Sequence, residues 1–276
     1  MRDLSNDRSL LAINSATVKP WTLEQLVEGC VRAGITAIAP WRDIVQAHGV
    51  EKAGSLIRGA GLSVSCYCRA GLFPAADEAG LRAALDDNRR AVDEAAAIGA
   101  RSLVLIAGGL PKGSKDLAGA HRQVRDGIAA LLPHALAAGV PLAIEPLHPM
   151  YAADRACVNT LAHANDLCDQ LGEGVGLAVD AYHVWWDPDL PRQIARAGKR
   201  ILTYHVCDWL VPTKDLLLDR GMPGDGVIDL RSIRAMVEAT GYDGLIDIEI
   251  FSAQNWWKRE PAEVLRICLE RHQTVV

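Results

Sequence analysis

Short apolar runs alternate with longer amphipathic stretches along the whole chain. The runs cover residues 10–14, 36–39, 62–67, 102–106, 142–145, 175–180, 201–205 and 245–250, and their length and bounding turn residues predict strands. Between them the spacing predicts helices over 22–33, 44–60, 78–98, from the 107–113 loop to 138, then 159–171, 188–197, 230–240 and 261–271. Thr22 and Gln25 have capping-box spacing at the first helix, and Gly34, Gly61, Gly99 and Gly139 stand where helices should stop. Strands that alternate with helices imply a parallel sheet. Eight such repeats without a linker or low-complexity segment predict one α/β domain over residues 1–276, a (β/α)8 TIM barrel. An open doubly wound sheet is the second choice, because no strand leads into a dinucleotide-binding glycine fingerprint.

Four consecutive runs end in residues with chemistry. Glu145 closes the fifth run, Asp180 the sixth and His205 the seventh, and Glu249 lies near the end of the eighth. In a parallel barrel all strand C-termini open on one face, so these side chains should share half of its rim. A single tip carboxylate can equally cap the next helix, and a single tip histidine can satisfy a carbonyl. Three carboxylates crowded together are costly unless a cation neutralises them. A divalent metal held by Glu145, Asp180, His205 and Glu249 is therefore expected. The oxygen-rich set puts Mn²⁺ first, with Mg²⁺, Co²⁺, Fe²⁺ or Zn²⁺ also compatible.

Glu145 on the fifth strand, Asp180-x-x-His183 on the sixth, His205-x-x-Asp208 on the seventh, the Pro223-Gly224-Asp225-Gly226 loop and Glu249 on the eighth resemble the xylose isomerase-like barrel superfamily. That resemblance implies one metal on the four tip residues and a divalent-metal-dependent isomerase or epimerase acting on a sugar, keto sugar or cyclic polyol. Glu145 and Glu249 would exchange protons through a metal-stabilised enediolate, and His183 would contact a substrate oxygen. Two departures narrow it. Val211 stands where the ketose epimerase branch has an arginine, and the third and fourth strand tips lack the extra histidines of a trinuclear DNA-repair site.

His148, three residues after Glu145 and between Pro146 and Pro149, is either a general base near the metal or a loop histidine bonded to backbone. The Glu-x-x-His pair also resembles the large subunit of C-glycoside deglycosidases. This supplies the alternative of a metal-dependent lyase on 3-keto-glycosides, with a dehydratase of the same superfamily beside it. Trp41, Arg42, Arg155 and Trp209 follow strand ends and are candidate substrate contacts, Trp faces for sugar CH surfaces and guanidiniums for oxygens. Arg69 and Lys214 are further tip-loop cations.

A formal net charge of −5 gives no attraction to nucleic acid or anionic membranes and favours a small carbohydrate substrate. Residues 1–8 lack an apolar leader segment and no run approaches the roughly 20 residues of a membrane span, so a cytoplasmic protein is expected. The seven cysteines lack zinc-ribbon spacing, and only Cys66-Tyr67-Cys68 forms a close pair. The expected assembly is a homo-oligomer, or a hetero-oligomer with a small subunit in the deglycosidase alternative.

Overall fold

Side-chain caps and left-handed glycines cut the chain into its repeats. In the computed structural model, which describes residues 1–276, Thr22 and Gln25 cap one another's backbone at the start of α1 (Leu23–Ala33), and Gly34 at φ 68° stops it. Asp77 caps α4 (Glu78–Ile98) and Asp116 caps α5 (Leu117–Ala138), each helix ending on a left-handed glycine, Gly99 and Gly139. Each such cap contributes about 1 kcal/mol. The stretch predicted as one helix over 44–60 is two, α2 (Arg42–His48) and α3 (Val50–Gly59). Gly49 at φ 91° turns the chain between them, a conformation that a helix interior does not allow.

The strands β1 (Leu11–Asn14), β2 (Ala37–Ala39), β3 (Ser63–Val64), β4 (Tyr67–Gly71), β5 (Leu103–Ile106), β6 (Leu142–Glu145), β7 (Val175–Asp180), β8 (Ile201–Val206) and β11 (Ile246–Ile248) form one parallel sheet. Its order is β3-β2-β1-β11-β8-β7-β6-β5-β4. The two ends of that order, β3 and β4, follow one another in the chain, separated at Ser65 and Cys66; the third apolar run, 62–67, contains β3 and only the first residue of β4, which continues to Gly71. The sheet is thus nearly closed on itself, an α/β TIM barrel. The remaining helices α6 (Leu161–Leu171), α8 (Leu190–Ala197), α9 (Leu230–Ala239) and α10 (Pro261–Thr274) complete the repeats, with a one-turn helix α7 (Ala181–Val184) directly after β7. A separate antiparallel ribbon, β9 (Asp208–Trp209) with β10 (Arg220–Gly221), lies over the rim.

Strand alternation divides the core. Ile144, Val179, Tyr204 and Ile248 belong to the main core, which packs strands against helices, whereas Ala143 and Ala178 belong with Cys66, Cys68 and Val104 to a second, inner group. Small residues at these inward positions leave space above them. No helix is long and apolar enough to cross a membrane.

Candidate active site

The same period of two that turns Ala143 inward turns Glu145 inward, and Asp180, His205 and Glu249 follow on their strands. Asp180 and His205 are register partners across β7 and β8. One ligand atom from each of Glu145, Asp180, His205 and Glu249 lies within 4.8 Å of the others, and all four residues are buried. Two ligands on one divalent ion at about 2.1 Å lie at most about 4.2 Å apart. A contraction of a few tenths of an ångström would therefore let the four share an ion, and the donor set suits one.

Electrostatics show how the cluster is compensated by the chain alone. Burial pushes the Glu145 carboxyl up to about 7, despite the hydrogen bond between its Oε1 and His205 Nδ1 at 3.1 Å. His205 is fully buried, which opposes its charge, yet Cys66, Glu145 and Glu249 together hold its imidazolium well above the usual histidine range. Protons thus occupy positions that a cation would otherwise neutralise.

Glu249 is held differently. Its Oε1 accepts from Asn14 Nδ2 at 3.0 Å and Trp41 Nε1 at 3.2 Å, and its Oε2 accepts from Arg220 Nη1 at 3.3 Å. The same Arg220 nitrogen donates to Asp180 Oδ2 at 3.0 Å. The guanidinium is packed between the rings of Tyr182 and Phe251, with Cζ 4.4 and 4.9 Å from their centroids. Below this layer, Asp247 is fully buried and accepts from Ser65 Oγ at 2.7 Å and Thr203 Oγ1 at 3.0 Å, and its Oδ2 lies 3.6 Å from His205 Nε2. The hydrogen-bond partner of that nitrogen is Cys66 Sγ at 3.4 Å, and Asp247 adds a buried carboxylate behind the imidazole.

His183 is fully buried, and burial pushes it down to about 3, so it is neutral at physiological pH. Its Nδ1 lies 3.1 Å from the His148 backbone N–H, and its Nε2 lies 3.1 Å from Arg220 Nη2, which can only donate, and 3.6 Å from Asp180 Oδ2. A cavity of about 310 Å³ opens above these groups, with Glu145, Glu249, His183 and Arg220 in its floor and Trp41, Arg69, Tyr151 and Arg155 higher in its wall. Its size suits a single sugar.

A family model described as a xylose isomerase-like TIM barrel matches residues 27–268. The chain belongs to that family. Among solved structures, protein SMc04130 from Sinorhizobium meliloti 1021 is 61% identical, with a TM-score of 0.96 over 98% of this chain and 99% of that one. The crystal structure of IolI protein with a bound zinc atom has a TM-score of 0.82 at 21% identity, over 96% of this chain and 97% of its own. Inosose isomerase of Bacillus velezensis (strain DSM 23117 / BGSC 10A6 / LMG 26770 / FZB42) is 29% identical over 147 residues, 50% of this chain and 49% of the relative. The chain thus spans about half the length of the curated relatives it matches.

Within this xylose isomerase-like barrel, the structure brings together Glu145, Asp180, His183, His205 and Glu249 and places Trp41 and Arg155 on the cavity. Three other expected contacts lie elsewhere. Arg42 is clamped between α2 and α4 by Glu94 at 2.6 Å and Asp87 at 2.7 Å, away from the cavity. Trp209 does not line the cavity; its ring packs on Tyr182 and, at 4.9 Å and 26°, on the His148 ring. His148 likewise does not line it; its Nδ1 accepts the Met150 N–H at 3.2 Å, the backbone bond of a turn histidine.

Sequence reasoning passed over Arg220, Asn14 and Asp247. Asp247 was accessible to it, because it precedes Glu249 by two positions and must share its face. Arg220 was not: it follows His205 by a loop whose path no periodicity sets. Asp208, noted in the His-x-x-Asp motif, fixes that loop by accepting backbone N–H groups of Trp209, Gly224 and Ile228 at 2.9, 2.9 and 3.0 Å.

Proposed function

We propose that this xylose isomerase-like barrel is an isomerase or epimerase of a sugar, keto sugar or cyclic polyol, dependent on a divalent ion held by Glu145, Asp180, His205 and Glu249. The observation that carries this reading is the convergence of those four buried side chains, two of which, Glu145 and Glu249, line the floor of a sugar-sized cavity. The partial match to inosose isomerase and the zinc in the IolI structure support it. When bound, the ion would polarise a substrate carbonyl or hydroxyl pair and acidify the adjacent C–H; Mn²⁺ is the first ion to test.

Glu145 suits the removal of that proton, because it lines the cavity as a carboxylate at the end of its strand. Glu249, oriented by Asn14, Trp41 and Arg220, addresses the neighbouring position, and neutral His183, with its Nε2 3.1 Å from Arg220 Nη2, lines the cavity beside it and is placed to contact a substrate oxygen. The lining of Phe251, Val104, Ile106 and Leu217 limits water around the reacting carbon.

The test is a panel of ketoses, inososes and 3-keto-glycosides incubated with Mn²⁺-loaded protein in D₂O and followed by NMR. The expected product keeps an intact carbon skeleton with solvent deuterium at one carbon next to the carbonyl. Glu145→Gln should lower turnover at least about a thousandfold, as for loss of a positioned base. Release of a second product, or turnover indifferent to chelator, would overturn the reading.

A further inference from the structure

The charges of the cavity lining are unevenly satisfied. In the floor Glu249 is paired with Arg220 and Glu145 with His205, whereas Arg69 and Arg155 complete the wall. Arg69 lies on β4, part-buried, with its Cζ 5.9 Å from the Trp41 ring centroid. Arg155 follows β6 on the exposed side of the mouth, with its Cζ 5.6 Å from the Tyr151 ring centroid. Neither guanidinium has an ion-pair partner within 4.0 Å; Asp154, an exposed acid on the same wall, pairs with neither.

Arginines elsewhere in this chain that pack against neighbouring elements are paired. Arg42 has Glu94 and Asp87, Arg196 and Arg200 share Asp169, and Arg220 has Asp180 and Glu249. Arg69 is the contrast, since burial and the neighbouring Arg155 charge both oppose its own charge and hold it below the usual arginine range. A guanidinium in that setting gains most from an oxyanion, which it can meet with paired N–H donors.

We propose that the substrate carries a carboxylate or phosphate at the end remote from Glu145 and Glu249, bound by Arg69 and Arg155. The inference rests on the carbohydrate reading of the site and narrows it to sugar acids or sugar phosphates. The lining also sets orientation: Arg69 and Arg155 are its guanidiniums without an ion-pair partner, so the oxyanion goes to them and the polyol end is left to the floor.

Isothermal titration calorimetry of Mn²⁺-loaded protein with xylitol, D-xylonate and D-xylitol 5-phosphate tests this, because the three share a polyol chain and differ at one end. At least one anion should bind about tenfold or more tighter than xylitol, and the stronger one identifies the group as carboxylate or phosphate. Arg69→Gln/Arg155→Gln should abolish that preference while changing xylitol affinity far less. Arg155→Gln alone, at an exposed position, should reduce it severalfold with thermal stability unchanged.

Xylitol binding as tightly as both anions would overturn this inference and leave the isomerase reading standing. So would an anion preference that survives in the double variant, since the anion would then be reaching the floor directly. No binding of any of the three would overturn both.

Discussion

Arg220 and Glu145 solve one problem in two ways, because each reduces the negative charge buried around Asp180 and Glu249. Arg220 does so permanently, through Nη1 contacts of 3.0 and 3.3 Å, and removing one partner of a buried ion pair costs about 3–5 kcal/mol. Arg220→Met should therefore lower the melting temperature of chelator-treated protein clearly, and saturating Mn²⁺ should restore part of the loss; an unchanged melting temperature would remove Arg220 from this role. His148→Ala is expected to retain turnover within about tenfold of wild type in the same deuterium assay, because the ring lies outside the cavity and its Nδ1 caps a turn. A loss of a hundredfold or more would return His148 to the chemistry. The contrast between these residues shows where sequence is informative. Glu145, Asp180, His205 and Glu249 were legible because strand alternation fixes their face and the parallel order fixes their end. Arg220 and the His148 ring depend on loop paths, which only tertiary packing decides.

Elements with regular periods were legible to within a few residues, and their interruptions were not. The third apolar run, 62–67, reads as one strand, yet the ladder is interrupted at Ser65 and Cys66: β3 pairs with β2, and β4, which starts at Tyr67 and runs on to Gly71, pairs with β5. The helix predicted over 44–60 breaks at Gly49, a residue that permits the turn without announcing it. The ribbon β9–β10 is too short for any pattern, and it is held by Asp208 instead. A buried carboxylate that accepts three backbone N–H groups pins both ends of the loop that carries Arg220. A Cβ at Gly226 would collide with the Trp209 carbonyl, so close approach requires glycine there. Asp208→Ala should destabilise the protein by about 2–4 kcal/mol in urea unfolding, with charge-assisted hydrogen bonds lost and backbone donors left unpaired. It should also raise Mn²⁺ affinity, because displacing Arg220 removes a cation that competes with the ion for Asp180 and Glu249. Loss of stability with metal affinity intact would separate the loop clamp from the site.

At the scale of the whole molecule, the site couples metal, protons and stability. Glu145 is raised in the fold from 4.5 to about 7, so between those values the folded state binds more proton than the unfolded chain. Its contribution to stability is complete below about pH 4.5 and is lost as pH rises through about 7. His205, also raised, acts in the same direction from its ordinary value of 6.5 upward. A divalent ion has the opposite dependence, because Glu145 and His205 must release protons to receive it, so its affinity rises with pH. Calorimetric melting from pH 5 to 8 should then show that wild type loses stability relative to Glu145→Gln as pH rises in chelator, by up to about 3 kcal/mol, and gains on it in Mn²⁺. Subtracting the variant cancels the surface carboxylates, such as Asp169, whose depressed values give the reverse trend. Parallel curves for the two proteins in both media would mean that Glu145 neither stores the proton nor receives the ion, and the floor of the cavity would need another account.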